Sequence, residues 1–251
     1  MRLENVSFVL HRPSSAENIG AVARVLKNFG LSRLQLVAPP AWAGPARSGE
    51  GRTGGQDVLL RARRTARHAA DRLERAELHA DLRAALAGAT WACGTSSRTP
   101  EGRAPLSPRE LAAEIARRSP AGPVAVVLGE ERRGLSDAEL SLCQAVCAIP
   151  TDPGYGSMNL AQAAAVLAYE IALARGAAPA PAPPGEPARH ATVEALFAAL
   201  SDLLAAAGYL NPQNPEAILF EWRRLLARAD PTQREVEILT AGVRALRRAA
   251  P

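Results

Sequence analysis

The sequence predicts an α/β domain built on a mainly parallel sheet, followed by a small all-helical unit. Short β-branched or apolar runs alternate with segments of helical periodicity, which is the pattern of parallel strands joined by helices. A proline- and alanine-rich stretch at 176–190, GAAPAPAPPGEPARH, then separates this region from a C-terminal part with only helical patterns. The 251 residues, 47% of them hydrophobic, suffice for one sizeable domain and a smaller companion.

The predicted elements divide the chain into a domain at 1–175, a linker at 176–190 and a helical extension at 191–251. Three short helices bury little by themselves, so the extension should dock on a partner surface. The predicted strands are Val6–Leu10, Leu34–Val37, Ala89–Gly94, Val124–Gly129 and Ala145–Pro150. The predicted helices of the extension are Ala191–Ala207, Pro215–Ala229 and Thr232–Arg248.

The net charge of +5 favours an anionic partner such as nucleic acid, although arginines are also common on solvated surfaces. Residues 41–83, which contain many arginines, are therefore either a loop with a solvated helix or a track for a phosphate backbone. Three cysteines without a CxxC pair predict neither a disulfide framework nor a zinc site, and the four histidines lack ligand spacing. We expect no metal.

The N-terminus and the most apolar helical segment indicate where the protein resides. Met1–Pro13 lacks the apolar core of a signal peptide. The helical segment Asn159–Ala174 is interrupted by Gln162 and Glu170, so it should not span a membrane. We expect a cytoplasmic protein.

The first polar motif lies on a predicted helix that begins near Asn18, a plausible N-cap. Arg24 points away from the apolar stripe of this helix, and Gly20 and Ala21 stand one turn before it. A bulky ligand could therefore approach the guanidinium and the helix backbone. The alternative is an ordinary exposed arginine.

The second motif follows the strand at Val124, where a polar loop lies between Gly129 and Gly134 and contains Glu131. Ligands of α/β sheets gather at the carboxyl ends of strands, so this loop should border a site. The alternative is a pair of turn glycines with a solvated carboxylate.

The third motif is the proline- and glycine-rich loop after the last strand, which contains Gly156, Ser157 and Asn159 and leads into a helix. Backbone N–H groups at such a helix start can hold a small polar ligand. The alternative is that Asn159 only caps the helix.

This helix carries two apolar stripes, which need two packing partners, and we expect a second subunit to cover one of them. The stripes are Leu160, Ala164, Leu167 and Ile171, and Ala161, Ala165, Ala168 and Ala172.

Together the three motifs resemble those of the SPOUT superfamily of RNA 2′-O-methyltransferases, in its SpoU or TrmH-type branch. This resemblance implies a parallel sheet with a trefoil knot near the C-terminus of the domain, S-adenosylmethionine as cofactor, and a homodimer. The segments Leu203–Pro212 and Trp222–Ala229 are similar to the C-terminal extension of TrmJ-like enzymes of that branch. Those enzymes methylate the ribose at position 32 of the tRNA anticodon loop, which implies tRNA as partner.

The resemblance also implies roles for individual residues. Arg24 would clamp a phosphate next to the reacting ribose, because a guanidinium is essentially always protonated and is a poor base. The other catalytic residues would be Asn18, Glu131, Ser157 and Asn159. The cofactor contacts would be Thr95, Ser96, Ser97, Gly129, Ile149, Gly156, Ser157 and Met158. Two alternatives remain, namely methylation of ribosomal RNA or another tRNA position, and a non-catalytic RNA-binding protein.

Overall fold

The structure is a computed structural model that describes residues 1–39, 54–98, 103–176, 185–210, 213–214 and 216–249. Its centre is a six-stranded sheet with strand order β3-β2-β1-β5-β4-β6, and every neighbouring pair is parallel. The predicted parallel α/β domain is thereby confirmed. The strands are β1 (Val6–His11), β2 (Arg33–Val37), β3 (Glu77–His79), β4 (Trp91–Thr95), β5 (Val124–Leu128) and β6 (Ala145–Cys147).

Helices cover both faces of the sheet, and side chains alternate between the two resulting cores. Phe8 and Leu10 of β1 belong to one core, while Val9 belongs to the other. The strands are therefore buried on both sides, as parallel strands usually are. The helices of this domain are α1 (Ala16–Asn28), α2 (Gly54–Ala66), α3 (Ala70–Glu74), α4 (Leu82–Leu86), α5 (Pro108–Arg118), α6 (Asp137–Ser141) and α7 (Leu160–Ala174).

Two expectations for the first helix are wrong. The N-cap of α1 is Ser15, whose hydroxyl accepts a hydrogen bond from the Asn18 backbone N–H, so the helix begins before Asn18. Gly20 gives no room to a ligand, because α2 packs directly against it. A Cβ atom at Gly20 would lie 2.0 Å from the carbonyl oxygen of Ala62. The glycine is therefore needed for close helix packing.

The C-terminal extension contains α8 (His190–Ala206), α9 (Glu216–Ala229) and α10 (Gln233–Ala249), close to the predicted bounds. Its own core is small, with Phe197, Leu219 and Val236 at the centre. Residues 177–184 of the predicted linker lie outside the described part of the chain.

The extension docks on the α/β domain of its own chain. The buried His190 donates its backbone N–H to the Ala89 carbonyl at 2.8 Å, and its Nε2 lies 3.0 Å from the Leu142 carbonyl oxygen. Asp230 forms a 2.7 Å ion pair with Arg118 of α5. Burial lowers the pKa of His190 to about 4, so this imidazole is neutral at pH 7.

Among the described residues, no helix is long and apolar enough to cross a membrane.

Candidate active site

A cleft of about 330 Å³ opens at the carboxyl ends of β4, β5 and β6. Side chains from the last residues of these strands and from the loops that follow line it. This edge of a parallel sheet is where small-molecule sites of α/β proteins form. The structure brings all eight predicted cofactor residues to the cleft: Thr95, Ser96, Ser97, Gly129, Ile149, Gly156, Ser157 and Met158.

The loop after β5 turns so tightly that both of its glycines are needed. A Cβ atom at Gly129 would lie 2.2 Å from the carbonyl carbon of Gly134. Gly134 has a φ of +67°, and its N–H donates to the Glu130 carbonyl at 2.9 Å. The two residues are therefore turn glycines, as the structural alternative held, and they also line the cleft.

The loop after β4 is held by its own polar groups. The Thr95 hydroxyl donates to the Val127 carbonyl at 3.1 Å, which ties the end of β4 to β5. The Ser96 backbone N–H donates to the Cys147 carbonyl at 3.0 Å, and the Ser96 hydroxyl accepts from the Arg98 N–H at 3.0 Å. These hydrogen bonds fix one wall of the cleft in place.

Glu131 organises the other side of the site. One of its carboxylate oxygens accepts hydrogen bonds from the Ser14 N–H and hydroxyl, both at 2.8 Å. The other accepts from the Ser15 N–H at 3.1 Å and from the Asn18 side-chain amide at 2.9 Å. Burial by itself would raise the pKa of Glu131, but these donors outweigh burial and lower the pKa below its usual value. Glu131 is thus an ionised anchor and not a freely solvated carboxylate.

Asn18 connects this anchor to the third motif. Its side-chain oxygen accepts a hydrogen bond from the Asn159 side-chain amide at 3.0 Å. The Asn159 side-chain oxygen caps α7 by accepting from the Ala161 N–H at 2.8 Å. Asn159 is therefore a helix cap, as its structural alternative held, and it is also a partner of Asn18. The chain Glu131–Asn18–Asn159 joins residues more than 100 positions apart in the sequence.

The structure does not bring Arg24 to the cleft of its own chain. Arg24 is exposed on α1 and lines a separate groove between α1 and α2. Four of the five predicted catalytic residues therefore lie at or beside the cleft, and the fifth lies on another part of the surface.

Three residues that no sequence motif singled out also hold the site together, namely His11, Ser14 and Ser15. The buried His11 places its Nε2 2.6 Å from a carboxylate oxygen of Glu139, and so ties the end of β1 to α6. Two adjacent serines before a helix are a recognisable N-cap signal. Their contacts with Glu131, by contrast, have no local signature.

The three cysteines are not placed for nucleophilic chemistry. All three cysteines are buried and free, and burial raises the pKa of Cys143 and of Cys147 to about 12. Such thiols carry almost no thiolate at pH 7 and are poor nucleophiles. Across the described ranges, no group of three or more His, Cys, Asp or Glu residues is placed to hold a metal ion.

Comparison with known families agrees with this arrangement. Residues 5–169 match the SpoU rRNA Methylase family, and residues 191–250 match the C-terminal domain of the tRNA methyltransferase TrmJ. The chain therefore belongs to the SpoU methylase family and is a methyltransferase. The cofactor of this family is S-adenosylmethionine.

The similarity to individual proteins extends over nearly the whole chain. The tRNA (cytidine/uridine-2′-O-)-methyltransferase TrmJ of Yersinia pestis (strain Pestoides F) is 36% identical over 94% of this chain and 89% of that protein. The protein of the same name from Cronobacter sakazakii is 35% identical over 94% of both chains. The crystal structure of TrmJ from Z. mobilis has a TM-score of 0.79 and 29% identity, and covers 96% of this chain and 98% of its own.

The cleft suits the cofactor of the family. Its volume lies within the range of sites for ligands of this size, roughly 300–1,000 Å³. Leu128, Leu135 and Ile149 supply an apolar lining for a purine ring, and the serines beside them can bind ribose or carboxylate oxygens. The residues present therefore fit S-adenosylmethionine.

Proposed function

We propose that this protein methylates a ribose 2′-hydroxyl in tRNA, at position 32 of the anticodon loop. The observation that carries the proposal is the hydrogen-bonded chain Glu131–Asn18–Asn159 at the edge of the cleft. It joins the three motifs into one site, and the extension that follows matches the TrmJ C-terminal domain. The relatives that share both parts are named for methylation of cytidine and uridine riboses in tRNA.

Different residues around the cleft would bind the cofactor and the target ribose. S-adenosylmethionine, when bound, supplies the methyl group on its sulfonium. The loops after β4 and β5 and the segment 149–158 would hold the cofactor through backbone groups and hydroxyls. The exposed Ser157, which lines the cleft just before Asn159, would orient the target ribose.

The anchored carboxylate of Glu131 fixes the start of α1 and thereby Asn18. Asn18 in turn holds Asn159, which sets where α7 begins beside the ribose. Glu131 and Asn18 are thus positioning residues. Precise placement matters here because a hydroxyl is a weak nucleophile that must be aligned with the methyl group.

Arg24 would bind the phosphate next to the target ribose and stabilise negative charge that develops on the 2′-oxygen. A guanidinium binds phosphate with two parallel hydrogen bonds and keeps its charge at all working pH values. The proton of the hydroxyl would leave through that phosphate or through water.

We further propose a homodimer formed through α7. One stripe of this helix is buried in its own chain, but Ala161, Ala165 and Ala172 are only partly covered, and Tyr169 and Leu173 are half exposed. Beside them lies an open groove of about 850 Å³ that shares Ile149, Ser157 and Met158 with the cofactor cleft. A second subunit docked on this face would complete the rim of the cleft.

Two further parts of the proposal rest on family membership. The chain segment around β6 and α7 would form the trefoil knot, a rare exception to the rule that chains do not thread loops. A tRNA substrate, together with three reduced and buried cysteines, supports a cytoplasmic location.

The decisive experiment supplies the protein with labelled S-adenosylmethionine and bulk tRNA from a strain that lacks the gene. The methylated nucleoside is then mapped by mass spectrometry. We expect one 2′-O-methylated pyrimidine at position 32 of a subset of tRNAs. No label in tRNA would refute the proposal.

Ribosomal RNA is a second candidate substrate, because the description of the matching family refers to it. A parallel incubation with ribosomal RNA tests it. Label in ribosomal RNA but not in tRNA would replace the proposed substrate while leaving the reaction unchanged.

A further inference from the structure

A groove of about 480 Å³ lies between α1 and α2, away from the cofactor cleft, and we call it the α1–α2 groove. Its partly buried lining includes Ala21, Val25 and Thr65, and its exposed lining includes Arg24, Arg64 and Arg67. We propose that this groove binds the phosphodiester backbone of the tRNA substrate, with Arg64 and Arg67 as positioning residues beside Arg24. The inference rests on the proposed function, because it names where that substrate is held.

Close packing of the two helices brings the arginines together. The helices meet at Gly20, where only a hydrogen atom fits against the Ala62 carbonyl. Arg24 lies one turn further along α1, and Arg64 and Arg67 follow Ala62 on the other side of the contact. Exposed guanidinium groups from α1, from α2 and from the turn that follows α2 therefore border one concave surface.

Carboxylates of the described residues do not neutralise the charge of this surface. The nearby carboxylates are already held by other cations: Glu17 by Arg61 at 2.8 Å, Asp71 by Lys27 at 2.8 Å, and Glu74 by Arg63 at 3.0 Å. Within the described parts of the chain, Arg24, Arg64 and Arg67 form no ion pair with a carboxylate. A ligand with repeated negative charges is the complement of such a surface, and an RNA backbone has one phosphate per nucleotide.

The backbone at Arg67 allows a test that separates charge from structure. Arg67 has a φ of +54°, the left-handed region that favours glycine over residues with a side chain. R67G therefore removes the guanidinium and relieves the backbone at the same time. This variant should melt at the same temperature as the wild type or at a higher one, so a loss of RNA binding cannot be ascribed to unfolding.

The experiment measures tRNA affinity of the full chain between 50 and 200 mM salt for the wild type, R64A, R67G and the double variant. R63A is the matched control, since Arg63 is next to Arg64 on α2 and is also exposed, but is paired with Glu74. Each lost phosphate contact should lower the slope of log affinity against log salt by about 0.7 to 0.9. Between 50 and 200 mM salt, the factor by which the affinity falls should therefore be about threefold smaller than in the wild type for each single variant, and about ninefold smaller for the double variant.

Two further readouts distinguish positioning from catalysis and from cofactor binding. KM for tRNA should rise in R64A and R67G while kcat stays near the wild-type value. The affinity for S-adenosylhomocysteine, measured by calorimetry, should not change, because neither arginine lines the cofactor cleft.

The inference can fail while the proposed function holds. If the wild type methylates tRNA and both variants bind tRNA like R63A, the groove does not bind the substrate and the inference is wrong. That result is also the one expected if the groove serves an acidic protein. If the wild type transfers no methyl group to tRNA, the proposed function is refuted, and the inference is refuted with it.

Discussion

Replacing Glu131 by glutamine should disconnect the hydrogen-bonded chain that joins the three motifs. In the wild type, one carboxylate oxygen accepts from the backbone and side chain of Ser14, and the other accepts from Ser15 and Asn18. Glutamine keeps one acceptor oxygen and puts an NH₂ group in the place of the other. Whichever way the amide turns, that NH₂ group faces at least one N–H donor.

The size of the effect follows from the bonds that are lost. E131Q gives up two of the four hydrogen bonds to this carboxylate, each of which contributes about 0.5–1.5 kcal/mol. A loss of about 2 kcal/mol in the free energy of unfolding is therefore expected. If the same energy holds Asn18 and Asn159 in place for the reaction, kcat/KM should fall about 30-fold, at 1.36 kcal/mol per factor of ten.

The pH dependence of stability gives an independent check. The pKa of Glu131 is lowered in the folded protein, so its ionised form stabilises the fold above the usual value of 4.5. This stabilisation is lost as the pH falls below 4.5 through the folded pKa. The stability difference between wild type and E131Q should accordingly be full at pH 7 and should shrink in acid.

The assays are chemical unfolding at pH 7 and at pH 4, and steady-state methyl transfer to tRNA. The control is E130Q, since Glu130 also lines the cleft but its carboxylate forms, among the described residues, only a 3.9 Å contact with the exposed Arg133. An E131Q protein as stable and as active as E130Q would show that the Glu131 contacts do not position the site. An unfolding difference of equal size at pH 4 and pH 7 would contradict the role of the ionised carboxylate.

R24A should abolish methyl transfer. Its affinity for S-adenosylhomocysteine, measured by calorimetry, should equal that of the wild type, because Arg24 does not line the cofactor cleft. Turnover of R24A within a few-fold of the wild type would show that Arg24 has no part in the mechanism. Sedimentation should show a dimer at micromolar concentration, and an active monomer would refute the role of α7. In a dimer whose interface borders the cleft, Arg24 of one subunit can act at the cleft of the other. Equal mixing of R24A with a cleft-blocked variant should then restore about a quarter of the wild-type activity, because half of the dimers are mixed and each mixed dimer has one complete site. No recovery would show that Arg24 acts within its own chain. A chain that ends at Gly176 should lose tRNA affinity, and its slope of log affinity against log salt should fall by about 2. It lacks Arg228, Arg244 and Arg248, which form no ion pair with a carboxylate of the described residues. An unchanged slope would exclude the extension from RNA binding.

The last of these predictions differs from what the linker composition suggests. A proline- and alanine-rich linker predicts an extension with few contacts to the domain, whose removal leaves the domain intact. In the structure, His190 and Asp230 hold the extension to the α/β domain. Truncation should therefore also lower the melting temperature. Arg223 is partly buried in an ion pair with Glu194 and stacks on Phe197, so it contributes to packing and is not available to RNA.

Periodicity and local chemistry in the sequence predicted most elements of the fold, and all eight residues predicted to contact the cofactor line the cleft. Five of the six strands and the helical extension follow from patterns within a few residues. The exception is β3, three residues at the sheet edge with no buried position in its pattern. The second and third motifs each follow a predicted strand, and parallel strands end at one edge of the sheet, so both were expected to border a site there. The cofactor and its contact residues were implied by the family resemblance.

The tertiary structure decided which of these residues touch. Ser15, Asn18 and Asn159 are all plausible N-caps by residue type, and only the fold shows that Ser15 and Asn159 have this role while Asn18 bridges Glu131 and Asn159. From the sequence, the surface beside Gly20 was expected to be open to a ligand, but in the structure α2 fills it. The family resemblance implied that Arg24 acts beside the reacting ribose, but in its own chain Arg24 lines another groove. Contacts of this kind depend on how separate elements pack against one another, and no pattern within a single element encodes them.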